Sequence, residues 1–251
     1  MDDTLQIRGG RGYETADSLR ARGEEPIPVE RAMRDFRINL IFEGSSEIMR
    51  LFIAREAVDH HFKTAFDLVN PKATGAERWA AFVRSMKFYP LWYPSMWIGG
   101  ARSYREFGAL SDHMRYIERT TRKLGRSIFH AMVRLGPKLE KRQMVLFRLV
   151  DVGAELFAMA ASCSRAKMLA AKGEPNAIEI ADLFCREARL RIAAHFRDLF
   201  GPNDKALHRV SQKTLEGTFS WLEEGIVRAE SGESGTAPVV ETARRREPVG
   251  V

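Results

Sequence analysis

The residues Ile41-Phe42-Glu43-Gly44-Ser45-Ser46-Glu47-Ile48-Met49-Arg50 carry the densest chemistry in the chain. A carboxylate stands directly before a glycine and two hydroxyl residues, at a point where a helix should begin. Taking a proton from carbon needs a base held close to that carbon and away from water. A carboxylate serves when it is partly desolvated and its ionisation is tuned by neighbours. Ile41 and Phe42 would exclude water on one side of Glu43, and Gly44 lets another molecule approach the backbone closely. Amides at the helix start would polarise a carbonyl oxygen as negative charge develops on it. By residue type alone, an acid at a helix start is far more often a cap or a first-turn charge.

A second cluster lies upstream, Gln6-Ile7-Arg8-Gly9-Gly10-Arg11-Gly12-Tyr13. Glycines there would let backbone N–H groups approach phosphate oxygens, although a glycine cluster by itself is more often a turn. Between the two runs Pro28-Val29-Glu30-Arg31-Ala32-Met33-Arg34-Asp35-Phe36-Arg37-Ile38. In this order and spacing, residues 5–60 resemble the C-terminal part of acyl-CoA dehydrogenases, flavoenzymes that desaturate acyl-CoA thioesters. The resemblance implies that Glu43 abstracts the pro-R α-hydrogen while the β-hydrogen leaves as hydride to the flavin. It implies that Ser45 and Glu47 contact the flavin side of the site, and that Phe42 and Gly44 lie against substrate. Gln6, Gly9, Gly10, Gly12 and Tyr13 match a family segment that meets the adenosine and pyrophosphate of FAD, generally across a dimer interface. Arg34 and Asp35 match the family's Arg-Asp pair, whose implied role is structural.

Residues 76–230 more loosely resemble the extra helical domain of very-long-chain and related members. The resemblance implies FAD as cofactor, acyl-CoA as substrate, an electron-transfer flavoprotein as acceptor, a homodimer, and a place in fatty-acid β-oxidation. It also implies a back end without the N-terminal helical domain and flavin-walling β-domain, so the chain alone should bind FAD poorly and not turn over. The loop Glu14–Ile27 is longer than in compact members, and Glu47 stands where several members have an amide.

The elements that must position these residues read as all-α. A helix should start near Pro28, which tolerates a first turn, with Glu30 suiting its positive end. A second should be capped by Ser45 or Ser46, carry Ile48, Leu51, Phe52 and Val58 at helical spacing, and end near His61. Residues 1–62 are expected to be the end of a catalytic helical domain, 63–75 a linker around Asn70-Pro71, and 76–230 an antiparallel bundle. Within that bundle, helices are expected over 76–88, 102–135, 137–171, 175–199 and 215–229, with Gly/Pro turns between the long ones. A disordered tail should occupy 231–251.

Hydrophobic residues at 45% and charged residues at 29% suit an ordinary globular protein. The net charge of +7 fits solvated helix faces with some attraction for a polyanion such as CoA; no nucleic-acid motif accompanies it. Cys163 and Cys185 read as buried free thiols in a reducing compartment. Met1 is followed by acids rather than a secretory pattern, and no stretch approaches the ~20 apolar residues of a membrane span, so a cytoplasmic protein is expected. Asp59-His60-His61 reads as a polar helix end rather than a metal cluster, because adjacent histidines point to different sides. Ser45-Ser46 lacks a nucleophile elbow. The aromatic run 88–98 suits a loop packed on the bundle better than peripheral membrane contact, and the 215–229 helix suits bundle packing better than partner or membrane contact. The competing functional class is a non-catalytic helical dimerisation or interaction module.

Overall fold

The computed structural model describes residues 1–42, 44–99 and 102–223. Among them no strand forms, and the fold is all-α as the sequence leads one to expect. The helices are α1 (Asp2–Arg8), α2 (Gly10–Tyr13), α3 (Ala16–Ala21), α4 (Val29–Ile38), α5 (Ser46–Val69), α6 (Gly75–Ser95), α7 (Ser111–Leu135), α8 (Gln143–Ala171), α9 (Ala177–Arg197) and α10 (Asp204–Leu215). Met1–Asp204 form one compact unit, and a second begins at Lys205.

Helix α8 organises the first unit. Its buried residues Val145, Leu149, Val152, Leu156, Met159, Cys163 and Ala166 recur at alternating steps of four and three, which keeps one stripe facing inward for the helix's whole length. Helix α9 answers with Ala181, Cys185, Ala188 and Ile192 at the same steps. Small residues at this seam let the two backbones approach closely, and the short turn between the helices makes them antiparallel. A second cluster joins α8 to Ala54 of α5, Ala131 of α7 and Leu199. Cys163 and Cys185 are fully buried, with their sulfurs 3.6 Å apart. The hydrogen bond it shares with Cys163, and then burial, push the Cys185 thiol up, so it packs as an inert small hydrophobe.

Arginine is largely structural. Arg148 of α8 grips Asp204 with both guanidinium nitrogens at 2.8 Å. Arg191 grips Glu155 in the same forked manner, at 2.6 and 2.9 Å. Arg122 and Arg126 of α7 donate to the carbonyls of Ile98 and Met96, just past the end of α6. They satisfy acceptors that a helix terminus leaves without partners, and Arg126 also lies over the Trp97 ring at 3.9 Å.

Several elements depart from the expected boundaries. Helix α5 continues past His61 to Val69, because Phe62, Ala65, Phe66 and Val69 prolong an apolar face. The chain therefore turns only over residues 70–74, and 63–69 are helix rather than linker. The polar loop after Glu14 contains α3, whose Thr15 cap accepts from the Ser18 amide. Helix α7 starts at Ser111 after a 3-10 turn, Arg105–Leu110, and α8 starts at Gln143 after another, Gly136–Leu139. The aromatic run is helical as far as Ser95, and α6 passes through Pro90 and Pro94. An interior proline costs a helix ~3 kcal/mol. Against that, Tyr89, Trp92 and Tyr93 all pack on Phe129 at 5.0–5.7 Å, and ring pairs contribute about 0.5–1.5 kcal/mol each beyond their burial. The packing wins. Helix α10 precedes the helix expected at 215–229, most of which lies outside the described residues, as does the tail expected from 231.

Met159→Ala should cost about 2–5 kcal/mol of unfolding free energy in urea. Phe157→Ala, at a site 76% exposed, should change it by less than about 0.5 kcal/mol. Equal losses would mean that α8 does not present the stripe described.

Candidate functional site

The junction between α4 and α5 forms much as its residues dictate. Pro28 precedes α4, and Glu30 sits in the first turn, where its charge complements the helix dipole. After α4 the chain passes through Ile41 and Phe42 to Gly44, whose φ of 101° is a backbone state that L side chains rarely adopt. Ser45 is the N-cap residue of the 24-residue α5, with its side chain making no capping bond, and Glu47 lies in the first turn. A methyl group on Gly44 would fall 2.9 Å from the Met49 sulfur. Glu43, the expected base, lies outside the described residues.

The upstream glycine cluster is helical rather than a loop. Gly9, at φ 58°, breaks α1 from α2. Gly12 is buried where α2 presses on α1, and a Cβ there would lie 2.6 Å from the Leu5 carbonyl oxygen. Gly9 and Gly10 face open space. The amides of Gly9 and Gly12 donate within the turn, to Gln6 and Gly9 carbonyls.

Three of the expected residues, Gln6, Tyr13 and Phe42, line two clefts along α4. Gln6 and Tyr13 line one of about 690 Å³ with Asp2, Leu5, Thr15, Glu30, Met33 and Arg34. Phe42 lines another of about 470 Å³ with Met33, Arg34, Arg37, Ile38 and Ile41. Met33 and Arg34 belong to both, so the clefts adjoin. Gly9, Gly10, Gly12, Gly44, Ser45 and Glu47 line neither. Arg34 pairs with Glu30 at 2.6 Å. The first cleft thus offers an amide, a hydroxyl, an aromatic ring and a neutralised cation. That donor set fits the adenosine end of a dinucleotide better than its pyrophosphate, whose negative charge Asp2 and Glu30 would oppose.

Large apolar side chains crowd this region without cover from the chain. Ile38, Ile41, Phe42, Ile48 and Phe52 are all exposed, Ile48 at 58%. The buried face of α5 is instead Ala54, Val58, His61 and Thr64. The stripe Ile48–Leu51–Phe52, legible as a core face in the sequence, is therefore only half buried at Leu51 and open at its flanks.

A constellation that the sequence did not reveal sits where α5, α6 and α7 meet. His61, read from the sequence as a polar helix end, is 7% exposed. Its Nδ1 lies 3.2 Å from the Tyr89 hydroxyl, the rings stack, and Trp92 closes edge-on at 4.8 Å. Burial, then the neighbouring His60, lowers the His61 pKa, and burial raises that of Tyr89. The missed signal was the continuation of the Val58–Phe62 apolar pattern toward Val69.

These features define an α-helical domain with nucleotide-sized clefts at one helix junction, and comparison with known proteins gives its class. A model of the acyl-CoA dehydrogenase C-terminal domain matches residues 1–58, and a model of the ACAD9/ACADV C-terminal domain matches 108–218. The chain belongs to the acyl-CoA dehydrogenase family, within its C-terminal part. It is 50% identical over 238 residues to probable acyl-CoA dehydrogenase FadE10 of Mycobacterium tuberculosis, an overlap covering 92% of this chain and 36% of that protein. It is 28% identical over 208 residues to the human very long-chain specific acyl-CoA dehydrogenase, mitochondrial, covering 76% of this chain and 28% of the relative. The chain thus spans about a third of the length of these relatives. A crystal structure of an acyl-CoA dehydrogenase complexed with FAD from Bacillus anthracis matches with a TM-score of 0.51 and 22% identity, over 85% of this chain and 33% of that one. At that identity the likeness speaks for the fold. Among the described residues no helix is long and apolar enough to cross a membrane.

Two outcomes follow from this geometry. Gly12→Ala should cost about 1–3 kcal/mol through the clash with Leu5, while Gly10→Ala should be nearly silent in the same unfolding curves. His61 has a folded pKa below its unfolded value near 6.5, so below that value the unfolded chain takes up a proton that the folded chain resists. The thermal midpoint should therefore fall as pH drops from 7 toward 5. His61→Gln should flatten that acid-side slope, and an unchanged slope would show that His61 is not held neutral.

Proposed function

We propose that this chain supplies the C-terminal part of an FAD-dependent acyl-CoA dehydrogenase that desaturates acyl-CoA thioesters between the α and β carbons. The observation that carries this reading is the α4–α5 junction, with Gly44 at positive φ and Ser45 opening a long helix, inside the segment matched by the dehydrogenase model. Glu43, immediately before that glycine, is the base that takes the α-proton. Phe42 and Ile41 keep water from it, and Gly44 leaves room for the thioester. Bound FAD supplies the acceptor for the β-hydride.

On this reading Ser45 and Glu47 border the flavin. Gln6 and Tyr13 hold the adenosine end of the cofactor, and the open backbone at Gly9 and Gly10 permits its close approach. The exposed apolar side chains around Phe42, Ile48 and Phe52 support a chain that rests against further protein in the working enzyme. Residues 1–62 end the catalytic helical domain and 76–230 form the appended bundle, a division supported by the two separate family matches. A homodimer in the cytoplasm, passing electrons to an electron-transfer flavoprotein during fatty-acid β-oxidation, completes the proposal. The same exposed face also favours a second reading, a non-catalytic interaction module derived from the family. A yellow complete protein that acyl-CoA bleaches eliminates it.

In the complete enzyme, Glu43→Gln should abolish flavin reduction by acyl-CoA in stopped-flow absorbance while leaving the flavin bound. Reduction at an undiminished rate would remove Glu43 as the base.

A further inference from the structure

Helices α5, α6 and α7 and the 3-10 turn Gly136–Leu139 line a pocket of about 420 Å³ that is open to solvent on the side of Val69 and Val133. Phe62, Phe66, Phe129, Met132 and Leu139 are among its walls, and His61, Ser85 and Tyr89 are its polar groups. Among the described residues no carboxylate, lysine or arginine lines it. Its size falls in the range of small-molecule sites, which are clefts lined mainly by apolar and aromatic side chains with a few polar groups, and an apolar molecule seated there would cover apolar walls that water now meets.

We infer that this pocket binds one uncharged aliphatic molecule, a hydrocarbon chain ending in a neutral hydrogen-bonding group such as a hydroxyl. The walls specify the chain, since they give a buried charge nothing to pair with. The His61–Tyr89 pair specifies the head. Whichever of the two holds the shared proton, the phenol keeps capacity for one more hydrogen bond. Ser85 has its hydroxyl 3.5 Å from the Thr64 carbonyl, turned to the backbone of α5. His61 is held neutral by burial, so at neutral pH the polar end of the pocket carries no charge to attract an anion. This inference goes beyond the proposed dehydrogenase function and does not depend on it.

Isothermal titration of the chain with 1-octanol tests it. One molecule should bind saturably, and 1-hexanol should bind about 15-fold more weakly, from roughly fourfold per methylene. Octanoate at pH 8, with the same tail and a charged head, should bind at least tenfold more weakly than octanol. Ala65→Phe fills the pocket and should abolish octanol binding. Val133→Trp, at a lining position that is itself 70% exposed and so tolerant of change, should weaken it at least tenfold with the helical circular dichroism unchanged. Binding that is unsaturable, equal for octanoate and octanol, or preserved in a folded Val133→Trp variant would overturn the inference.

Discussion

The seam between α8 and α9 is the contact on which the rest of the first unit depends. Leucine and methionine fill its upper layers, while Cys163, Ala166, Ala181, Cys185 and Ala188 let the two backbones close on each other at the other end. Because α8 is apolar on more than one side, it also receives α7 and α5. Helix α5 is thus fixed by its middle, at Ala54 and Val58, and its two ends serve different purposes. The N-terminal end carries the glycine and serine of the candidate catalytic junction. The C-terminal end contributes to an apolar pocket on α6 and α7. A tether from Arg50 to Asp151, at 2.8 Å, sets the rotation of α5 on α8 near its N-terminal end.

Charge in this chain is used mainly to finish helices. The +7 balance suggested solvated helix faces with some attraction for a polyanion, and the arginines with the best geometry hold carboxylates or helix-end carbonyls within the fold. Forked pairs such as Arg148–Asp204 are worth more than exposed ion pairs, because both ions are partly withdrawn from water and each guanidinium nitrogen has its own oxygen. Attraction for an anionic ligand then depends on whichever cations are left over, not on the total.

The long helices were legible because their apolar residues recur at helical steps and because Gly and Pro mark the turns. Proline misled at Pro90 and Pro94, where local chemistry forbids what ring packing against Phe129 supports. His61 misled for the opposite reason, since a histidine beside an aspartate and another histidine looks solvated until the helix is seen to run on. The α4–α5 junction was legible as a motif, and the structure supplies its backbone state at Gly44. The glycine cluster was legible only as flexible backbone. Its real constraint is close approach at Gly12, which depends on Leu5 and cannot be read from spacing. The exposed faces of α4 and α5 could not be anticipated either, because hydrophobic periodicity tells which residues avoid water, not whether the partner that covers them belongs to the same stretch of chain.

The two prolines in α6 have a consequence for motion. Each removes a backbone donor, so the turns around Trp92 and Tyr93 are bound by fewer rungs of their own ladder than any other part of that helix. What holds them is lateral: rings on α7, the Tyr93–His130 contact at 2.9 Å, and arginines reaching the carbonyls beyond the helix end. A segment kept in place by its neighbour instead of by itself cannot fray residue by residue. Its opening then requires release of the contacts to α7 as a set, which would expose the amides of this half of α6 to exchange together.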